Sequence, residues 1–127
     1  MSEFFSGGID AASKDYCSIA NEHHFNRLRG ALKQAVSSGA EVVSGGEVSQ
    51  SGLYLSPAIL TGVNYENPIM EEEIFGPILP IIKTKNLGEA IEYINNNEKP
   101  LALYLFSNKG SEQNKVLKNT SSGGMVI

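Results

Sequence analysis

Six apolar residues in a row, Leu101-Ala102-Leu103-Tyr104-Leu105-Phe106, place the strongest limit on how this chain folds. An alternating strand shows one face to water and one to a core. An unbroken apolar run asks for cover on both faces, the condition met by strands of a parallel sheet flanked by helices. The question for the rest of the sequence is whether it supplies such helices and further strands.

It does. From Asn21 onward, Phe25, Leu28, Leu32, Ala35 and Val36 recur at helical spacing, Asn21 can cap the first turn and Gly39 can close the last. Asn86-Leu87-Gly88-Glu89 is a capping residue followed three positions later by a carboxylate, opening a helix with Leu87, Ala90, Ile91 and Ile94 on its apolar side; Asn95-Asn96-Asn97 and Pro100 stop it. A shorter helix over Ser111 to Asn119 should turn Val116 and Leu117 inward. Strands are expected at Glu41 to Ser44, closed by Gly45-Gly46, at Ile78 to Ile82, and from Met125 to Ile127. Leu53 to Leu60 also reads as extended, but Pro57 cannot donate to a ladder, which makes it an edge strand or a hairpin arm. Strands and helices in this order predict an α/β fold, a mainly parallel sheet with flanking helices joined by right-handed crossovers. Residues 1–20, with Gly7-Gly8 and Ala11-Ala12-Ser13, show no sustained period and read as an irregular lead-in.

Composition narrows the function. The 127 residues are the size of one domain. Ten Lys and Arg against 14 Asp and Glu give a net charge of -4, and without a basic stripe there is no footprint for nucleic acid. No apolar run approaches the roughly 18 residues of a membrane span, and Met-Ser-Glu-Phe-Phe lacks the parts of a secretory leader. The single cysteine, Cys17, excludes an internal disulfide and a multi-cysteine zinc site. Together these features predict a cytoplasmic protein.

Few side chains invite chemistry. His23 and His24 are neighbours, which diverge by about 100° on a helix and cannot share one metal, so a surface or partly packed role is expected. Cys17 lies in the irregular lead-in with no helix N-terminus aimed at it. Gly7-Gly8, Gly45-Gly46 and Gly123-Gly124 match no phosphate-binding loop. Glu71-Glu72-Glu73 reads by itself either as a solvated acidic turn or as paired carboxylates. Its continuation is harder to explain as a surface turn: the acidic run passes into Ile74-Phe75, then into Gly76-Pro77, which force a turn, then into a buried strand. A carboxylate and a large ring at the mouth of a parallel sheet stand where such sheets bind ligands. There the carboxylate can accept two hydrogen bonds from a ribose diol and the ring can wall off a flat heterocycle.

Glu72-Glu73-Ile74-Phe75-Gly76-Pro77 resembles the signature of the NAD(P)-dependent aldehyde dehydrogenases. Asp15-Tyr16, Ile19 and His24-Phe25-Asn26-Arg27-Leu28 are similar to the lead-in and helix of the class 3, fatty-aldehyde-type branch. Ser56-Pro57-Ala58-Ile59-Leu60, Lys99 to Ser107 and Ser121-Ser122-Gly123-Gly124 continue the likeness, which runs in order from about Phe4 to Ile127. The resemblance implies that Glu73 hydrogen-bonds the ribose next to the nicotinamide of NAD or NADP, that Phe75 packs against the nicotinamide end, and that Gly76 and Pro77 set the turn presenting them.

It further implies that residues 21–127 are part of a catalytic domain whose cysteine nucleophile and glutamate base lie upstream of this chain. Cys17 stands where relatives more often carry glycine, and no catalytic residue is expected here. The chain is then an internal fragment of an aldehyde-oxidising enzyme, inactive alone, from a parent expected to be a homo-oligomer. The alternative is a non-catalytic folded module that self-associates or assembles with an intact relative.

Overall fold

The computed structural model describes residues 16–127. Gly7-Gly8, Ala11-Ala12-Ser13, Asp15 and most of the expected lead-in therefore lie outside the described residues. The chain divides into two compact units, one ending at Lys83 and the other spanning Thr84–Ile127.

The first unit is organised by helix α1 (Glu22–Ser37). Asn21 caps it as expected, its side chain accepting from the backbone N–H of His24 at 2.8 Å. Gly39 follows its end with φ +100°, a conformation that costs glycine nothing. Phe25, Leu28, Leu32 and Ala35 are buried along one face, whereas Val36, expected with them, is 44% exposed. A three-stranded sheet lies in the order β1 (Glu41–Ser44), β4 (Ala58–Thr61), β5 (Ile78–Pro80). The β1–β4 pair is antiparallel and the β4–β5 pair parallel. Leu28, Leu32 and Ala35 of the helix share one buried cluster with Leu55, Ala58, Leu60 and Ile78.

The extended segment around Pro57 is two strands. β3 (Tyr54–Leu55) is a hairpin arm pairing with β2 (Val48–Ser49), while β4 is the middle strand of its sheet rather than an edge. The proline falls between the two, where its missing N–H breaks no ladder. Its carbonyl leaves no room for a Cβ on Gly45, which has φ +69°. Ahead of α1, Tyr16 donates its hydroxyl to the Leu55 carbonyl at 2.8 Å and Ile19 its N–H to Leu53 at 2.9 Å.

The second unit holds α2 (Leu87–Asn96), β6 (Ala102–Tyr104), α3 (Gly110–Asn119) and β7 (Gly124–Val126). β6 and β7 pair in parallel, and α2 packs on α3. Asn86 caps α2 by accepting from Glu89 N–H at 3.1 Å, and the Glu89 carboxylate accepts in return from Lys85 N–H at 2.7 Å. The reciprocal box read from the sequence is thus present, with the carboxylate reaching one residue beyond the cap.

The fold is α/β, with parallel pairing at β4–β5 and β6–β7; the β2–β3 hairpin and the antiparallel β1–β4 pair add to that pattern. Two expectations about the second unit are corrected. Only Val116 of α3 turns inward, and Leu117 is 51% exposed. The six-residue apolar run is covered on one side: Leu103 and Leu105 are half-buried, while Ala102, Tyr104 and Phe106 on the other side are exposed, the last two by 63% and 94%; Leu101, ahead of the strand, is 85% exposed. Among the described residues nothing covers that second face. No described helix is long and apolar enough to cross a membrane.

Candidate nicotinamide-side site

The acidic turn is built against α1. Upstream, Asn67 is 2% exposed and seats a single 3-10 turn, Pro68–Met70, beside the end of the helix: its amide donates to Ala35 O at 3.1 Å and its carbonyl accepts from Ile69 N–H at 3.1 Å. Asn67-Pro68 is an ordinary turn opener with proline in the first helical position, a signal the sequence carries and our reading did not use.

Downstream, the chain passes through Glu71, Glu72 and Glu73, all exposed, before Ile74 dips toward the core cluster. The Glu73, Ile74 and Phe75 carbonyls are then all taken up by two side chains of α1. Arg27 donates to Glu73 O at 3.3 Å and to Ile74 O, and His24 donates from Nε2 to Phe75 O at 2.6 Å. Arg27 also points Nε and Nη2 at His24 Nδ1, each at 3.4 Å, and its guanidinium stands 4.0 Å from Glu72 Oε2. Because a carbonyl only accepts and a guanidinium only donates, the imidazole carries its proton on Nε2 and presents Nδ1 as acceptor. His24 is thus partly packed, as expected. Its bond to the signature turn was not foreseen, although His24 and Arg27 are spaced i, i+3 on one helix face.

Held in this way, Phe75 adopts φ +47°, a left-handed conformation uncommon for an aromatic residue, and its side chain is 74% exposed. Gly76 follows at a point where a Cβ would lie 2.5 Å from Leu28 Cδ2, so the turn closes onto the helix only because the residue has no side chain. Pro77 O accepts from Ala58 N–H at 2.8 Å, and β5 enters the sheet. Glu73 and Phe75 therefore flank an anchored Ile74, both turned to solvent.

Two features differ from the site drawn from sequence. The turn precedes β5 and lies at its amino end, whereas ligand crevices of parallel sheets open at the carboxyl ends. A cleft of 330 Å³ does adjoin the turn, lined by Arg27, Gln34, Ile69, Glu71, Glu72 and Ile74 among others, but Glu73 and Phe75 do not line it. Cys17 is exposed on the segment ahead of α1.

A sequence model of the aldehyde dehydrogenase family matches residues 5–127. The chain is 46% identical over 126 residues to mouse aldehyde dehydrogenase family 3 member A2, covering 99% of this chain and 25% of that protein. To the rat dimeric NADP-preferring aldehyde dehydrogenase it is 44% identical over 122 residues, covering 96% and 26%. Its backbone superposes on Staphylococcus aureus AldH, solved in a substrate-bound state, with a TM-score of 0.89 at 39% identity, over 98% of this chain and 27% of that one. The chain thus spans about a quarter of the length of these three proteins. With signature, order of elements and backbone in agreement, the chain belongs to the aldehyde dehydrogenase family.

Proposed function

We propose that this chain supplies the nicotinamide-side contacts of an NAD(P)-dependent aldehyde dehydrogenase, with Glu73 accepting hydrogen bonds from the ribose diol and Phe75 packing against the nicotinamide end. The observation that carries this reading is the display of the two side chains. Both stand exposed on a turn whose backbone is fixed at three successive carbonyls, with Phe75 in a left-handed conformation uncommon for an aromatic residue. A free carboxylate and an open aromatic face fit a ribose and a flat ring. A bound nicotinamide would supply the hydride acceptor for the oxidation. This chain's residues hold and orient that end of the cofactor; the nucleophile and base come from elsewhere in the enzyme. Cys17, the chain's one thiol, has no catalytic part, and the lone cysteine suits a reducing, cytoplasmic setting.

The test uses two proteins. The 127-residue chain with NAD or NADP and an aldehyde is expected to form no reduced cofactor; steady turnover would overturn the inactivity. In a chimera, residues 5–127 replace the matching quarter of the rat NADP-preferring relative. There Glu73→Gln is expected to raise the cofactor KM about 10- to 100-fold, since a hydrogen bond to a charged group contributes about 1.5–3 kcal/mol. The KM for aldehyde should stay within about twofold. An unchanged cofactor KM would return Glu73 to a solvated turn.

A second reading is favoured by the bare apolar face of Ala102, Tyr104 and Phe106, which suits a module that pairs with another chain. Light scattering on the eluting chain separates the two: a monomer that ignores full-length relatives excludes the module.

A further inference from the structure

We propose that His24 and Arg27 act together as positioning residues that hold the Glu73-Ile74-Phe75 backbone in its display conformation, so that the affinity of the site for nicotinamide cofactors depends on two α1 side chains that never touch the cofactor. The inference rests on the reading of Glu73 and Phe75 given above.

The hydrogen-bond arithmetic supports it. Three consecutive peptide carbonyls, Glu73 O, Ile74 O and Phe75 O, lie in a segment outside regular secondary structure. One guanidinium takes the first two and one imidazole the third. The imidazole completes this by a single tautomer, because Nδ1 faces Arg27 and Nε2 faces Phe75. Arginine suits the task because its planar fork reaches two acceptors and the ring nitrogen together, which a lysine ammonium on a flexible stem does not reproduce. Phe75 is the residue that needs holding: its left-handed φ would relax toward the extended region if the Phe75 carbonyl were released, swinging the ring away from the position set by Ile74 and Gly76. Arg29, two residues along α1, points elsewhere, to Gln50 at 3.2 Å and over the Phe25 ring at 5.8 Å, and provides a matched control on the same helix.

The first measurement is made on the 127-residue chain. The ring ¹⁵N signals of His24 should report one fixed tautomer, protonated at Nε2. Arg27→Met should mix the tautomers and speed amide exchange from Ile74 to Ile78, while Arg29→Gln leaves both unchanged. The second is made on the chimera. Arg27→Met and His24→Leu should each raise the cofactor KM about tenfold with aldehyde KM unmoved, and His24→Gln, whose amide can still donate to Phe75 O, should recover most of the loss. Arg27→Lys serves if the methionine variant folds poorly, and should show a smaller rise.

A merely structural role is separated by a cycle: once Glu73→Gln and Phe75→Ala are both in place, Arg27→Met should have no further effect on cofactor KM. If Glu73→Gln weakens cofactor binding and Arg27→Met does not, the positioning role fails while the site stands. If the turn loosens in Arg27→Met and neither variant alters cofactor KM, the site reading fails and the positioning role falls with it.

Discussion

The two compact units are written in the same vocabulary of capped helices and parallel strand pairs, yet they bury very different amounts of themselves. Before Lys83, α1, the 3-10 turn and the β-strands close around one cluster of ten buried residues, with Leu28, Ala35 and Leu60 fully hidden. After Thr84, Ile91 and Val116 are the buried apolar residues, and two of the three residues of β6 are exposed. The difference explains why the candidate site belongs to the first unit. A strained turn persists only where its surroundings over-determine it, and the Phe75 conformation is set by a helix locked through Leu28, Leu32 and Ala35 into a closed core. The second unit has no comparable anchor among the described residues.

The largest test of that contrast removes like side chains from each unit. Leu60→Ala, on the central strand with no exposure, should cost about 3–5 kcal/mol, the upper part of the range for a core leucine. Ile91→Ala, 8% exposed in a thin core, should cost about 2 kcal/mol, because its surroundings can collapse into the gap. Native-state hydrogen exchange, read separately at α1 and α2 amides, resolves the two even if they do not melt together. Equal losses would mean that the second unit is as well buried as the first.

A finer comparison uses the caps. Asn21 and Asn86 each accept from the N–H three residues on, at 2.8 and 3.1 Å, so Asn21→Ala and Asn86→Ala remove the same kind of bond, worth about 1 kcal/mol. In the first unit the loss should stay at the helix end, since Phe25 and Leu28 pin the next turns. In the second it should spread along α2, where Ile91 is the single buried side chain. Exchange rates at the amides of Ala31 and Leu32 against those of Ile94 and Asn95 show the spread, and identical profiles would erase the contrast.

What the sequence revealed divides along the same line. Helix periodicity is local information, so α1 and α2 and their asparagine caps were legible to within a residue. The hexapeptide at Glu72 to Pro77 was legible because glycine and proline punctuate it and the family resemblance names it. Two things were hidden. The bonds from His24 and Arg27 join positions 46 to 51 residues apart, and no periodicity records a side chain reaching a distant carbonyl. The run from Leu101 to Phe106 was overread, since six apolar residues report that a strand is meant to be covered on both faces, not that this stretch of chain supplies both covers. Pro57 misled in a third way: placed between two strands it harms neither, and so it does not mark β4 as an edge.

The smallest effect concerns acid. Among the described residues, each unit holds one carboxyl below its usual range: Glu47, through the hydrogen bond from the buried Ser56 hydroxyl, and Glu112, through the Ser107 hydroxyl at 2.7 Å and then Lys109 at 3.0 Å. A carboxyl lowered on folding stabilises the folded state above its unfolded value, and that contribution is lost as pH falls through the folded value. Both units should therefore weaken slightly between neutral pH and the region below the ordinary carboxylate range. Glu47→Gln should lower the first unit's resistance to unfolding at neutral pH and make no difference in acid, where the native glutamate is itself protonated. Glu112→Gln should do the same for the second unit, with added salt diminishing the part due to exposed Lys109 and leaving the Glu47 effect nearly intact. Exchange-derived stabilities measured across that pH range, with and without salt, test the sign and the contrast together. A Glu47→Gln deficit that persisted into acid would show that the bond to Ser56 does not depend on the charge.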